Sequence, residues 1–341
     1  MKKRALIALC ALLAQGAAFA LPLPHYHKVL ETPLGRPDKW DYVYLDREAG
    51  RVYIAHETRI DVVDAHSGAI VGRINGIDGA HGIAADDKLG LGFAVNGRRG
   101  SVTLFRLATL TKVGSIPADR DSDAVAYDPG RHLLLVANGD AHDASLIDAK
   151  TRQRLAQIPL GGSPEGIVLD EAGHAFVNVE GRRELVRISL TRKRVTDRWG
   201  IPQCLSPHGL AMDRVAHRLL VSCENGMMVV MNSTNGQVVG SLPIGRGSDT
   251  VVFDPGRKWA FSSNRDGTLS IAKEISPGHY GVLGNIATAL GARTMAEDRT
   301  SGRVFLVTAD VAKERKPIGN QPPRLSFIPG TLKLLVYDLA R

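Results

Sequence analysis

Seven residues that could do chemistry recur at one position of a repeat. An aspartate closes each repeat unit, and neighbouring closing aspartates stand 40 to 44 residues apart: Asp46, Asp86, Asp128, Asp170, Asp213, Asp254 and Asp298. The residues five positions before them are Asp41, His81, Asp123, Glu165, His208, Asp249 and Arg293. Carboxylates and imidazoles are acid–base groups and ligands for divalent cations, and a guanidinium binds anions. We call these seven residues the ring residues.

The elements that must position them are short strands joined by tight turns. In the fifth unit we expect strands at 208–212, 218–222, 227–231 and 237–242, the last entered through Asn235-Gly236. The second strand of each unit is a continuous apolar run, as in Leu133-Leu134-Leu135-Val136. Such runs are typical of strands covered on both faces by neighbouring sheets.

A repeat of about forty residues with four strands predicts an all-β fold, a seven-bladed β-propeller of four-stranded antiparallel blades. The blades are expected to start near residues 40, 80, 122, 164, 207, 248 and 292, in one domain spanning residues 21–341. The seventh unit lacks a fourth strand. Residues 27–34 resemble the fourth strand of another unit, so we expect the N-terminal strand to complete the last blade.

The fifth unit also carries a resemblance to a known family. Its run Ser206-Pro207-His208-Gly209-Leu210-Ala211-Met212-Asp213, followed by Leu219-Leu220-Val221-Ser222 and Gly236-Gln237-Val238-Val239-Gly240-Ser241-Leu242, resembles the YVTN repeat of exported bacterial β-propellers, the YncE-like group. The resemblance covers residues 25–341 and implies a periplasmic binding protein. It says little about activity, because propellers of this architecture serve many functions.

In a propeller the ring residues would line the top of the central channel. They could form a hydrated channel mouth with no ligand, or a funnel that binds a ligand or a metal ion. His81 and His208 should lie nearly opposite each other. A weak divalent-cation site is therefore easier to build from His81 with Asp41 and Asp123, or from His208 with Glu165 and Asp249. We predict no cofactor and no structural metal.

Further basic residues stand on loops expected at the same face. The rim arginines are Arg98, Arg99, Arg182, Arg183 and Arg265. They could be solvated surface charge, or they could bind a carboxylate or phosphate. The loop at 310–330 is long for a connection between strands, and we interpret it as a lid or a partner-binding loop.

The first twenty residues predict export. A basic start at Lys2-Lys3-Arg4, an apolar stretch and the small residues Ala18 and Ala20 are typical of a signal peptide cleaved after Ala20. Cleavage removes three basic residues and lowers the net charge from +8 to +5. We therefore expect a periplasmic or secreted protein with no transmembrane anchor.

Cleavage would also remove Cys10 and leave Cys204 and Cys223 as the remaining cysteines. A disulfide between them is predicted for an oxidising compartment, with two separate buried thiols as the alternative.

The leading functional hypothesis is a monomeric binding protein whose top face and channel mouth hold a small anionic ligand or another envelope protein. The alternative is an enzyme, a cation-assisted lactone hydrolase or lyase at the channel. The sequence contains no Cys-x-x-Cys-His haem motif, no His-Glu-x-x-His motif and no phosphate-binding loop motif. The modest positive charge, spread over mixed loops, argues against nucleic acid.

Overall fold

The computed structural model describes residues 22–315, 319 and 321–340. The predicted signal peptide lies outside these residues. Within them the chain forms one short 3-10 helix, Glu180–Arg182, and β-strands that we number in chain order. The strands are β1 (Tyr26–Pro33), β2 (Val43–Asp46), β3 (Arg51–Asp64), β4 (Ile70–Asp86), β5 (Leu91–Asn96), β6 (Ser101–Arg106), β7 (Lys112–Pro117), β8 (Ser122–Asp128), β9 (Leu133–Asn138), β10 (Asp143–Asp148), β11 (Gln153–Pro159), β12 (Pro164–Leu169), β13 (His174–Val179), β14 (Glu184–Ser189), β15 (Arg194–Gly200), β16 (Pro207–Asp213), β17 (Arg218–Cys223), β18 (Met227–Asn232), β19 (Val238–Pro243), β20 (Ser248–Asp254), β21 (Trp259–Asn264), β22 (Thr268–Ser276), β23 (His279–Ala287), β24 (Thr294–Glu297), β25 (Val304–Thr308), β26 (Val311–Arg315), β27 (Arg324–Phe327) and β28 (Lys333–Leu339).

The prediction of seven four-stranded blades is wrong. The described residues form six blades, one six-stranded sheet, β2-β3-β4-β5-β6-β7, and five four-stranded sheets; the two-stranded sheet β26-β27 is separate from the blades. The first two repeat units join because β3 (14 residues) and β4 (17 residues) remain hydrogen-bonded on both sides of a bulge, where the pairing passes from Glu57–Ala80 to Arg59–Asn75. Each long strand thus occupies the place of two predicted strands.

The strands nearest the axis contact one another in a closed circle, and these contacts position the ring residues. The six-stranded blade supplies β2 and the end of β4, and the other five blades supply β8, β12, β16, β20 and β24. Neighbouring strands approach so closely that a Cβ on Gly82 would lie 2.6 Å from the carbonyl oxygen of Asp123. A Cβ on Gly166 would lie 2.3 Å from the carbonyl oxygen of His208. Glycine is therefore required beside the ring at both positions.

The hydrophobic core lies between adjacent sheets. In one cluster Phe93 and Val95 of β5 pack with Leu134 and Val136 of β9, and all four side chains are fully buried. Burying large apolar side chains is worth about 1.5–3 kcal/mol each. This packing fixes the sheets around the axis and holds the inner strands in place.

The N-terminal strand belongs to the same sheet as the end of the chain. The sheet order is β1-β28-β25-β24, with Tyr26 opposite Leu339 and Pro33 opposite Lys333. The long loop at 310–330 contains the hairpin β26–β27, in which Arg315 pairs with Arg324.

The disulfide prediction is confirmed: Cys204 and Cys223 are bonded, with their Cα atoms 5.2 Å apart. Cys223 lies opposite Pro207 in the sheet. A turn in which the Cys204 amide donates to the Ile201 carbonyl, at 2.9 Å, brings Cys204 back to its partner. No helix within the described residues is long and apolar enough to cross a membrane.

Candidate functional site

The ring contains two similar groups in which a histidine stands between carboxylates. In the first, His81 Nδ1 lies 2.5 Å from Asp41 Oδ2 and 3.2 Å from Asp123 Oδ1. His81 and Asp123 come from β4 and β8, while Asp41 precedes β2 and is fixed by its amide, which donates to the Ala55 carbonyl at 3.0 Å. We call these three residues the first triad.

The second group is centred on His208 of β16. Its Nδ1 lies 3.0 Å from Asp249 Oδ1 and 3.5 Å from Glu165 Oε2, and its Nε2 lies 3.6 Å from Glu180 Oε1. Sequence reasoning did not connect Glu180, two residues before the rim arginine Arg182, to the ring. Its position directly after the second strand of the fourth unit was the available signal.

The seventh ring residue, Arg293, completes the circle beside the second group. Its Nε lies 3.0 Å from Asp249 Oδ2, as an ion pair. Asp249 therefore lies between an imidazole and a guanidinium. Arg265, one of the predicted rim arginines, is close enough to Arg293 for their charges to interact.

Burial and neighbouring charges shift the protonation of the first triad. Burial alone would lower the pKa of His81, but Asp123 and Asp41 outweigh it and raise that pKa to about 11. Burial raises the pKa of Asp123, and the nearby Asp41 adds to the effect. At neutral pH, in the absence of a bound ion, His81 is thus an imidazolium held between carboxyl groups.

Burial and neighbouring charges also shift the pKa values of the residues in the second group. Burial, followed by the charges of Asp123 and Asp249, raises the pKa of Glu165 to about 9 against the opposing effect of His208. The pKa of His208 also lies well above its usual value, because Asp249 and Glu180 outweigh its burial. Burial would raise the pKa of Asp249, but Arg293 and His208 lower it.

A cavity of about 960 Å³ opens at the top face over one side of the ring. Asp41, His81 and Arg293 are the ring residues in its wall, and Arg98, Arg99 and Arg265 are the rim arginines in it. Arg182 and Arg183 lie elsewhere among the described residues, where they donate to the carbonyls of Gly161 and Pro202. The structure thus brings only part of the predicted rim together.

One wall of the cavity is apolar. Trp40, Leu325 and Phe327 line it, and the rings of Trp40 and Phe327 meet edge to face with centroids 4.9 Å apart. Leu325 and Phe327 belong to β27, so the long loop contributes to the cavity. Sequence reasoning missed Trp40, although it directly precedes the ring residue Asp41.

The channel continues past the ring as a smaller space of about 150 Å³, lined by Tyr42, Gly82, Gly166 and Gly209 among others. Burial and the charges of four nearby carboxylates raise the pKa of Tyr42 well above its ordinary value. Tyr42 is therefore a neutral phenol. The site as a whole thus combines guanidiniums, which are groups that bind anions, with two groups in which a histidine stands between carboxylates.

Comparisons with known proteins support the fold at a coarse level. No known family model matches the chain. Antigen Lp49 of Leptospira interrogans serogroup Icterohaemorrhagiae serovar copenhageni (strain Fiocruz L1-130) is 23% identical over 252 residues, which are 70% of this chain and 50% of that protein. The chain thus spans about half the length of this curated relative.

Among solved structures, the chain is similar to hydrazine synthase of Kuenenia stuttgartiensis. The TM-score is 0.69 at 13% sequence identity, covering 86% of this chain and 95% of that chain. At this identity the similarity shows the β-propeller fold alone.

Proposed function

We propose that this chain is an exported binding protein, related to the YVTN-repeat propellers, that holds a small anionic ligand in its top-face cavity. The observation that carries the proposal is the pair of guanidiniums, Arg265 and Arg293, in the wall of the cavity. Arg293 is held by Asp249. Arg265 reaches its acidic partner, Glu224 Oε1, only at 3.6 Å.

The electrostatics of this pair favour a bound anion. Burial and the charge of Arg293 lower the pKa of Arg265, which means that both effects disfavour its cationic form. An anion between the two guanidiniums would relieve this repulsion and accept charge-assisted hydrogen bonds. The apolar wall at Trp40 and Phe327 would accommodate a nonpolar part of the same ligand.

Three of the carboxylates that line the cavity are less available to a ligand. Glu57 accepts from Arg98 at 3.1 Å, and Asp38 accepts from the Gly330 amide at 2.5 Å. Asp119 accepts from its neighbour's amide at 2.7 Å and from the side chain of Gln157. These three acids therefore already have donors, and none of them contacts Arg265 or Arg293.

Two further observations support an exported location. The disulfide is typical of proteins that fold in oxidising compartments. The curated relative is named as an antigen, which describes a protein that antibodies recognise. The signal-peptide prediction agrees with both.

The test is calorimetric titration of the purified protein with citrate, succinate and inorganic phosphate, and with glucose as a neutral control. We expect saturable binding of at least one anion. Arg265→Gln should weaken it about 10-fold to 100-fold, the loss of one hydrogen bond to a charged group. Arg182→Gln, an exposed arginine away from the cavity, is the matched control and should bind as the wild type does.

Absence of binding by all three anions would overturn the proposal. So would equal binding by Arg265→Gln, provided that its melting temperature shows it to be folded. If the protein captures another envelope protein and binds no anion, the anion proposal is wrong and the ligand is that protein.

A further inference from the structure

We propose that the first triad, Asp41, His81 and Asp123, is a binding site for one divalent transition-metal cation. The proposal goes beyond anion binding and does not depend on it. Three ligand atoms converge: Asp41 Oδ2, His81 Nδ1 and Asp123 Oδ1, all within 4.8 Å of one another.

The separations suit a small cation with nitrogen and oxygen ligands. Protein nitrogen and oxygen atoms bind Zn²⁺ at about 2.0–2.2 Å, which places neighbouring ligand atoms roughly 3 Å apart. His81 Nδ1 lies 2.5 Å from Asp41 Oδ2 and 3.2 Å from Asp123 Oδ1. Binding an ion would require the His81–Asp41 contact to open to about 3 Å, whereas the His81–Asp123 separation already fits.

Hydrogen bonding within the triad is incomplete. A single Nδ1–H can point at one oxygen, and the shorter contact is the one to Asp41. Asp123 Oδ1 is buried and has no hydrogen-bond partner among the described residues. A buried carboxylate oxygen without a donor is costly, and a cation would compensate it together with Asp41.

The second histidine group provides an internal comparison that favours the first. There, Asp249 presents one oxygen to His208 and the other to the guanidinium of Arg293 at 3.0 Å. A positive charge at that distance would repel a metal ion bound through Asp249, so the ligand atoms left at the second group are those of Glu165, Glu180 and His208. Within the described residues, no lysine or arginine nitrogen lies within 4.0 Å of the carboxylates of Asp41 or Asp123.

The first triad is also accessible. Asp41 and His81 line the cavity of about 960 Å³, so an ion can enter from it and can complete its coordination with water or ligand atoms on that side. One imidazole with two carboxylates suits Zn²⁺ or Mn²⁺, whereas Ca²⁺ prefers six to eight oxygen ligands.

The experiment uses the full protein after EDTA treatment and dialysis. Calorimetric titration with ZnCl₂ and MnCl₂ should show one site per chain, and CaCl₂ should bind at least 10-fold more weakly. Co²⁺ should give visible ligand-field absorption from a site with nitrogen and oxygen ligands. The expected results for variants are at least 10-fold weaker binding by His81→Gln and by the near-isosteric Asp123→Asn.

Three controls define the site. His174→Gln, a more exposed histidine that also pairs with an aspartate, Asp170, should bind the ion like the wild type. His208→Gln should also retain binding, and so should Arg265→Gln, which separates this result from that for anions.

Failure of the wild type to bind either Zn²⁺ or Mn²⁺ stoichiometrically would overturn the proposal, whatever the stability of the variants. Loss of binding in His208→Gln with retention in His81→Gln would also overturn it, because the ion would then lie at the second group. Wild-type affinity in both Asp123→Asn and His81→Gln would also overturn it, because the ion would then be bound elsewhere.

Discussion

At the scale of single residues, Glu297 differs from the residues at the same position of the other repeat units. It directly precedes a closing aspartate, where the other six units carry apolar or aromatic residues: Leu45, Ala85, Tyr127, Leu169, Met212 and Phe253. Glu297 is 2% exposed, and neither carboxylate oxygen has a hydrogen-bond partner among the described residues. Burial and the nearby Asp254 raise its pKa to about 7, although Arg299, Arg47 and Arg257 oppose the shift.

This shift makes stability depend on pH. Because the folded-state pKa lies above the unfolded value of 4.5, folding favours the protonated carboxyl; its contribution is complete below about pH 4.5 and is lost as the pH rises through 7. The difference corresponds to about 3 kcal/mol. Glu297→Gln should therefore be more stable than the wild type at pH 8 by up to this amount, with the gap closing at acidic pH.

Urea unfolding from pH 4.5 to pH 8 measures this difference. Glu48→Gln, an exposed acid, is the control and should follow the wild-type curve. A pH profile of Glu297→Gln that is parallel to the wild type would contradict the expected titration.

The choice of residues at the ring was predictable, but their contacts were not. A fixed offset from the closing aspartate places all seven ring residues at the same level, because each unit enters its inner strand in the same register. Which carboxylate contacts which histidine depends on side-chain rotamers and on the spacing of neighbouring strands. The partnership of Glu180 with His208 crosses from one loop to the next unit, so periodicity could not reveal it.

At the scale of elements, the close approach of inner strands depends on small residues. A Cβ on Gly166 would lie 2.3 Å from the carbonyl oxygen of His208 and 3.1 Å from the amide nitrogen of Leu210. Both are backbone atoms, which cannot rotate away. Strand β16 would have to move, and it carries His208 into the ring.

Gly166→Ala should accordingly lower stability by about 1–3 kcal/mol, the usual cost of overpacking. Gly240→Ala is a matched control in strand β19, where an added Cβ would meet nothing within 4 Å, and its change should stay within about 0.5 kcal/mol. Urea unfolding of both variants measures the difference. Equal stabilities would mean that the inner strands can separate without cost.

The six-stranded sheet shows where strand prediction failed. A four-stranded first unit requires a loop between its second and third strands, yet His56 and Glu57 lie inside β3. Loops at the corresponding point of other units contain glycine, as in Asn225-Gly226 and Asp266-Gly267, and these glycines have positive φ. The first unit has no glycine there. Glu57 adopts the positive φ there instead, at 51°, and the pairing of β3 with β4 continues across a bulge between Glu57 and Arg59.

At the scale of the whole molecule, the blade formed by β24, β25 and β28 depends on β1 for its outer strand. Deleting residues 21–36 should expose the edge of β28 and leave Tyr26 missing from the cluster around Phe261 and Leu335. We expect aggregation or a large fall in melting temperature, measured by calorimetry and size-exclusion chromatography.

A synthetic peptide of residues 22–36 is the control for this deletion and should restore part of the lost stability, because it supplies the same strand. An unchanged melting temperature for the deleted chain would show that the blade is stable with three strands.

The pairing of β1 with β28 also determines how the molecule responds to mechanical force. The strands are antiparallel, and the Ala340 amide donates to the His25 carbonyl at 2.8 Å, so the two ends of the described chain lie side by side. A pull on both ends would load one hydrogen-bonded pair at a time, starting at Tyr26. The outer strand β1 should therefore separate from β28 at low force while the other blades stay intact. Tethering the protein through these two ends would open the molecule between β1 and β28.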